Sequence, residues 1–550
     1  MDQKINRLES GEFSTEKTEI DKDSNTLETH VELQHLQGGT KRGLDARHIQ
    51  MISLGGAIGT GLFLNMGGNI ATAGPAGALI AYVVVGIMVY CIMTCLGEMA
   101  TFMPVTGSFN HYATRFVDPA LGFALGWNYW FSLADNNVGF SLFVDRLLNF
   151  SVELAAAATI IAWWKPVMPD AAWSTIFLVM ILTINMASVR LYGEIEYWFA
   201  MIKIIIVIVF IIIAILVTSG AVGHKVIGFA YWKDPGAFVD GAVGTVSVLL
   251  SAGFSFQGTE VVGITAGEAK NPTKTVPRAI RNTFWRILIF YVVTIFLIGL
   301  CLPSNDPQLE NSDDDPATAA FTLIFKLAGI DAGAHVINAI ILTSVLSAAN
   351  SSLYTTARTL LGLSRDGNGP AFLGKVNRFG SPYWAVLFSS ITGFAVVFVS
   401  IYSASAAFEW FMSITAVSGF ISWAGIAFVH IRFRRAYNYQ GRNLDDLPFK
   451  AILYPYSGIF ACGLCILIIL GQGYVSFTPK FDAITFCKSY IGIIPAIVCY
   501  IVYKVLRRTR VVPLGEVDFE TGRVTRLDIE KDEEEDIDVA WWRRILRWIV

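Results

Sequence analysis

The sequence predicts an all-α polytopic membrane protein of about twelve transmembrane helices, arranged as a 5+5 inverted repeat followed by two C-terminal helices. Three observations predict it. Long apolar runs recur along most of the chain, positive charge gathers in alternate connections, and two spans five apart are broken by glycine and polar residues. Of the 550 residues, 54% are hydrophobic and 15% charged, a mix too apolar for a soluble chain of this length.

A hydrocarbon core of roughly 30 Å takes about 20 helical residues to cross. Runs of that order fall near 48–70, 77–101, 120–164 (interrupted), 173–189, 194–219, 237–264, 284–302, 332–360, 384–402, 406–431, 452–472 and 484–506. They make one transmembrane domain, 46–507, between a polar N-terminal tail, 1–45, and a C-terminal tail, 508–550. The N-terminal tail lacks the apolar core of a signal peptide and reads as disordered and cytosolic. Lys4, Lys17 and Lys22 on it are candidate modification targets, with ubiquitin-ligase machinery as the implied partner, or else ordinary solvated lysines. Cys91, Cys95, Cys301, Cys462, Cys465 and Cys499 lie in or at the ends of spans, and Cys487 near one, so they read as packing residues rather than a disulfide set.

The net charge of -3 matters less than its distribution. With the N-terminus in the cytosol, the inner connections carry Lys41, Arg42, Arg47, Arg115, the group from Lys270 to Arg286, the group from Arg365 to Arg378, the group from Arg432 to Lys450, and Lys504 to Arg510. The outer ones carry scattered lysines, and the 303–325 connection is acidic. The positive-inside rule selects this orientation, with both termini cytosolic. Beyond the last span, an acidic run (530–538) precedes 541–548, whose tryptophans and arginines suit an interfacial amphipathic helix.

Residues 55–61 read Gly-Gly-Ala-Ile-Gly-Thr-Gly within the first span. Each glycine costs about 1 kcal/mol relative to alanine in a helix, so the run favours unwinding. Unwound backbone at membrane depth is tolerated where it is buried in protein or lines a cavity, so Ala57, Ile58, Gly59, Thr60 and Gly61 are candidate substrate-binding residues. The sixth span breaks similarly at Phe256, Gln257, Gly258 and Thr259, followed by Glu260. Paired broken helices in corresponding positions point to the midplane site of an inverted-repeat transporter. Freed N–H groups at a half-helix start suit a carboxylate and freed carbonyls suit an ammonium, and an α-amino acid carries both.

The segments KRGLDARHIQMISLGGAIGTGLFL (41–64), GPAGALIAY (74–82), LGEMATFMPVTGSF (96–109), FQGTEVVGITAGEAKNPTKTVPRAI (256–280), SAANSSLYTTAR (347–358) and LPFK (447–450) resemble the fungal amino-acid permeases of the amino acid-polyamine-organocation superfamily. The resemblance covers about 41–524 and implies a LeuT-like fold and a proton-coupled amino-acid symporter of the plasma membrane. The FQGTE form of the sixth-span motif looks most like the permeases for lysine and arginine. Broad-range or neutral uptake, or a non-transporting sensor on the same fold, are the alternatives; a tail of about 45 residues is ordinary for a carrier, whereas sensors carry a longer one.

Lys203 lies in the fifth span, where a lysine costs roughly 2.5–3.5 kcal/mol on insertion scales. Related proton-driven transporters place a lysine there in lieu of sodium, which makes Lys203 the candidate for proton coupling and disfavours a sodium-coupled carrier. By the same resemblance Glu153 is expected to line the pocket, Glu260 to serve gating or proton coupling, and Thr415 to stand at a pocket position of the tenth span. The seven histidines show no metal spacing, and no phosphate loop or nucleophile with a base occurs. No cofactor, metal, nucleic-acid partner or enzymatic activity is expected; the partners are an amino acid, protons and the bilayer.

One segment departs from the family. Between Ala134 and Glu153 the chain carries roughly a dozen extra residues, so that 120–164 as one helix would run to about 67 Å, about twice a bilayer. We read the 135–150 segment as a gene-model artefact such as an unspliced intron. If it is retained, the placement of Glu153 in the site comes into question.

Overall fold

The computed structural model describes residues 51, 58–105, 108–133, 149–161, 164, 168–187, 189–222, 226–266, 272–310, 320–365, 367, 369–377, 380–399, 404–477 and 480–524. Among the described residues the regular secondary structure is helical throughout. Ala57, the N-terminal tail, most of the 135–150 segment and the proposed amphipathic end lie outside them.

The chain enters α1 (Thr60–Phe63), continued through Leu64 into α2 (Asn65–Phe102). The α2 run holds the end of the first expected span and all of the second. Gly74 bends it with φ 75° and ψ 165°, and Pro75 begins the second arm. A side chain at Gly74 would strike the Ala237 carbonyl at 2.7 Å, so glycine both permits the turn and admits the neighbouring backbone.

Next come α3 (Ser108–Phe116), α4 (Pro119–Leu133), α5 (Asn149–Ile161), α6 (Asp170–Met186), α7 (Val189–Thr218), α8 (Gly241–Phe256) and α9 (Val261–Thr265). A π-helical turn, Ile287–Val293, joins α10 (Pro272–Arg286) to α11 (Thr294–Cys301). The short α12 (Pro307–Glu310) and α13 (Ala320–Leu327) lead to α14 (Asp331–Arg365), α15 (Tyr383–Val399), α16 (Ala404–Tyr439), α17 (Tyr456–Gly471), α18 (Ala483–Tyr490) and α19 (Ile493–Arg507).

Six helical runs among the described residues are long and apolar enough to cross a membrane: Asn65–Phe102, Arg190–Thr218, Pro272–Cys301, His335–Arg365, Met412–Tyr439 and Tyr456–Tyr474. The other expected spans are short or divided. The sixth is cut between α8 and α9, the twelfth between α18 and α19, and the third appears as α4 and α5. In α7 the division of faces is plain. Lys203, Val207, Phe210 and Ala214 are buried, while Ile205, Ile208, Ile212 and Ile215 are exposed, the stripe that hydrocarbon chains would cover.

The described C-terminal segment, 508–524, packs onto the arginine-rich end of the bundle. Val512 N–H donates to Val117 O at 2.8 Å, Val524 N–H to Phe102 O at 3.0 Å, and Gln440 Nε2 to the carbonyls of Leu514 at 3.1 Å and Val517 at 2.8 Å. Phe519 is fully buried among Phe102, Phe116, Phe433 and Tyr437. Arg442 pairs with Glu520 at 2.8 Å and Arg115 with Asp518 at 3.2 Å. The first part of the expected tail is thus a strap joining α2, α3 and α16.

Candidate functional site

The two breaks meet. After Phe256 the backbone becomes extended at Gln257 (φ -60°, ψ 152°) and turns at Gly258 (φ 86°), a conformation suited to glycine, before the helix resumes beyond Glu260. Gly61 of α1 crosses α8 so closely that a Cβ there would lie 2.5 Å from Ser255 Cα. Ser255 Oγ donates to the Gly61 carbonyl at 2.9 Å and pairs with Tyr82 OH at 3.0 Å, which accepts from Asn69 Nδ2 at 3.0 Å. Side chains thereby satisfy backbone freed by the breaks, as buried peptide groups require.

Glu153 reaches the first break from α5. Thr60 Oγ1 donates to its Oε1 at 3.0 Å, and the Thr60 N–H lies 3.5 Å from the same atom. A protein carboxylate therefore sits at the helix start, where the dipole favours negative charge. Gly59 makes room for it, because a Cβ would stand 2.6 Å from Glu153 Oε1 and 2.9 Å from the Ala348 Cβ. Glu153 is only 4% exposed, and its Oε2 has no hydrogen-bond partner among the described residues. Despite the extra segment before it, Glu153 stands at the break.

Lys203 is fully buried on α7, where its charge interacts with Glu196 and Glu153. Ile58, Gly59, Thr60 and Gly61 are all buried at the first break.

The second break is tied to its neighbours. Gln257 Nε2 donates to the Thr415 carbonyl at 2.9 Å and the Ala416 carbonyl at 3.4 Å, so its amide bridges to α16. Thr415 is fully buried, and its Oγ1 lacks a hydrogen-bond partner among the described residues. Phe256 packs against Tyr291 at 4.4 Å and Tyr82 at 5.9 Å between ring centroids. Glu260 accepts from Gly258 N–H at 3.2 Å, Thr259 Oγ1 at 3.4 Å and Trp423 Nε1 at 3.1 Å. Three donors make it a fixed cap of the break, in contrast to Glu153.

Sequence reasoning passed over three buried carboxylates, Glu98, Glu196 and Asp118, the last of which pairs with Lys504. Glu196 is fully buried and accepts from Ser347 Oγ at 2.5 Å and Asn350 Nδ2 at 3.3 Å. Its signal was the spacing to Lys203, which puts both on one face of α7. Glu98, inside a quoted motif, meets His430 at 3.1 Å, pairs with Arg434 and accepts from the Ala451 N–H at 2.7 Å. Those partners come from distant sequence, so no local pattern exposes them. Asn128 of α4 also interlocks with Ser418 and Ser422 of α16 at 3.0 and 3.1 Å.

Known proteins resemble the chain along most of its length. The family model described as amino acid permease matches residues 48–513. The chain is 42% identical to the lysine-specific permease LysP of Escherichia coli, over 88% of this chain and 96% of that one. It is 38% identical to the lysine-specific permease of Saccharomyces cerevisiae, over 98% and 87% respectively. Among solved structures, a mutant form of the manganese transporter of Eremococcus coleocola superposes with a TM-score of 0.50 at 12% identity, covering 84% of this chain and 94% of that chain, a likeness of fold alone. With helices broken in pairs and relatives matched along nearly its whole length, this chain is a multi-pass membrane protein that belongs to the amino acid permease family.

Proposed function

We propose that this protein is a proton-coupled symporter that imports cationic amino acids, lysine and arginine, across the plasma membrane by alternating access, with both termini in the cytosol. The observation that carries the reading is Glu153: a buried carboxylate at the first helix break, with one oxygen held by Thr60 and the other without a hydrogen-bond partner among the described residues. A buried carboxylate needs a cation or a proton to compensate it; the charge of Lys203 acts on Glu153 already, and an ammonium-bearing substrate or a proton is the candidate for its second oxygen. The lysine specificity named for both relatives supports the substrate class.

In this reading the backbone from Ile58 to Gly61 and from Phe256 to Thr259 receives the α-amino and α-carboxyl groups, and Thr415 Oγ1 offers a further hydrogen bond. Ala57 joins that set as a proposal from the sequence. By the resemblance, Lys203 supplies a cation where a sodium-coupled carrier would need a metal ion, which supports protons as the driving ion. Glu260, held by three donors, stabilises the bent sixth span and takes part in gating through Trp423. Phe256, packed against Tyr291 with the rings tilted, is placed to cover the substrate. Lysines of the cytosolic tails remain the proposed contact for ubiquitin-ligase machinery.

Uptake of radiolabelled lysine, arginine, histidine and leucine by permease-deficient yeast expressing the chain, with and without a protonophore, tests the proposal. Concentrative lysine and arginine uptake abolished by the protonophore is expected. Accumulation of leucine alone would overturn the substrate class, and uptake indifferent to the protonophore would overturn the coupling.

A further inference from the structure

Glu196 is a buried carboxylate that the helix breaks leave unexplained. It precedes Lys203 by seven residues on α7, so the two share one helix face about 10.5 Å apart along the axis. Both are fully buried. Both side chains lean toward the N-terminus and the lysine is the longer, so its reach shortens the gap, and the two charges interact. α14 holds Glu196 through Ser347 and Asn350, and Asn350 Oδ1 accepts from Asn185 Nδ2 of α6 at 2.8 Å.

One ammonium thus stands between two carboxylates of different character. Glu153 touches the broken first span and keeps an oxygen without a hydrogen-bond partner among the described residues, whereas both oxygens of Glu196 are fixed by neutral donors. We propose that Glu196 is the resident counter-ion of Lys203, compensating its ammonium whenever Glu153 is given over to a proton or to the cationic group of the substrate. A second carboxylate keeps a counter-charge near the buried ammonium when Glu153 is drawn away, in line with the pairing that buried charges require. Glu196 is therefore a positioning residue, which acts on transport through Lys203. The inference rests on the proton-coupled reading above.

Among the described residues, the other titratable groups near it are on the same helix and on α14. Tyr192 lies one turn away on α7, bonded to Ser351 Oγ at 3.2 Å and stacked on Tyr354 of α14, over which Arg358 lies at 3.9 Å. Glu194, next but one to Glu196, is half-buried. From α6 the facing group is the neutral Asn185. α11 and α13 meet α7 nearer its other end, at Cys301 with Thr218 and at Phe321 with Phe210.

The test compares Glu196→Gln with wild type in proteoliposomes, measuring initial lysine uptake against external pH, and lysine counterflow at fixed pH. Glutamine keeps the size and accepts at least one of the donors, but removes the charge. The ammonium of Lys203 then loses a counter-charge and needs more acid to stay protonated. The half-maximal pH of uptake is expected to move toward acid by about one unit, with counterflow retained and Glu196→Asp restoring most of the wild-type profile. An unmoved pH profile in Glu196→Gln overturns the inference, as does an equal loss of uptake and counterflow at unchanged pH dependence, the signature of a structural role. If Glu196→Gln does not reach the membrane, Ser347→Ala, which weakens the carboxylate form of Glu196, should show a smaller acid shift, and its absence is equally contrary. Wild-type uptake indifferent to the proton gradient would overturn the coupling reading itself; proton-driven wild-type uptake with an unmoved Glu196→Gln would overturn this inference alone.

Discussion

Two buried charge clusters in this protein use similar side chains to opposite ends. At the arginine-rich end of the bundle, Glu98 is enclosed by Arg434, His430 and the Ala451 N–H, and α2, α16 and the connection before α17 close around it. Around Lys203, two carboxylates share one cation, and Glu153 Oε2 lacks a hydrogen-bond partner among the described residues. In the first cluster a guanidinium and an imidazole stand against one carboxylate at contact distance, so its charge is met by protein groups alone. The second has an acid to spare beside a broken helix, and so can respond to a proton or a cationic ligand. The difference separates structure from function better than burial does, since Glu98, Glu196 and Lys203 are all fully buried.

Mutations can break this comparison from either side. The largest effect is expected from Glu98→Ala, which leaves His430 and Arg434 buried without their carboxylate. Breaking a buried pair costs about 3–5 kcal/mol, so the variant should be nearly absent from the membrane by surface labelling. Lys203→Ala should instead assemble, because Glu153 and Glu196 can take up protons in place of the lost cation whereas the Arg434 guanidinium cannot shed one, while concentrative uptake falls by about tenfold or more, a coupling loss of roughly 1.4 kcal/mol. If Lys203→Ala is the variant that fails to assemble and Glu98→Ala the one that survives, the contrast is reversed.

Gly59→Ala tests the close approach of Glu153 to the first break. The added carbon meets Glu153 Oε1 at 2.6 Å, and overpacking of this kind costs about 1–3 kcal/mol. Reduced lysine affinity in a correctly assembled protein is expected from uptake kinetics, and wild-type affinity would contradict the described contact.

The smallest effect on transport is expected from Phe519→Ala in the C-terminal strap. It should free 508–524 to protease in inside-out vesicles while uptake falls about twofold or less; an unchanged cleavage rate would mean that the phenylalanine does not anchor the strap. Asp518 is raised by burial, but the Thr521 hydroxyl and the backbone N–H groups of Thr521 and Glu520 outweigh this and hold it down to about 2. A depressed carboxylate supports the folded strap above its unfolded value and loses that support only as pH falls through about 2. Strap protection should therefore be unaffected by acidification within the range in which transport is assayed.

The fold was largely legible because bilayer chemistry writes it in composition: uninterrupted apolar runs, breaks that glycine favours, and a lysine too costly to be idle. Glu153 could be placed because the family motif offered it a role, and Lys203 because its surroundings are isoleucine and valine. Glu196 was hidden by its position near the start of a span, beside Glu194 and Tyr197, where a carboxylate looks interfacial. The Glu98 cluster was hidden because its partners lie 332 to 353 residues away. The strap was hidden because a polar tail carries no hydropathy signal; its anchors are backbone carbonyls met by Gln440 and one phenylalanine in an aromatic cage. Gly74 likewise turns two expected spans into one bent run, a matter of backbone geometry at one residue.

The central claim, that Lys203 and its two carboxylates couple a proton to the entry of a cationic amino acid, is tested most directly by imposing a proton gradient on proteoliposomes holding the purified full-length protein. Radiolabelled lysine should accumulate above its equilibrium level in wild-type vesicles only while the outside is acidic, and Lys203→Ala vesicles should equilibrate lysine without concentrating it. Accumulation by Lys203→Ala equal to that of wild type, or wild-type accumulation without the gradient, would contradict the account.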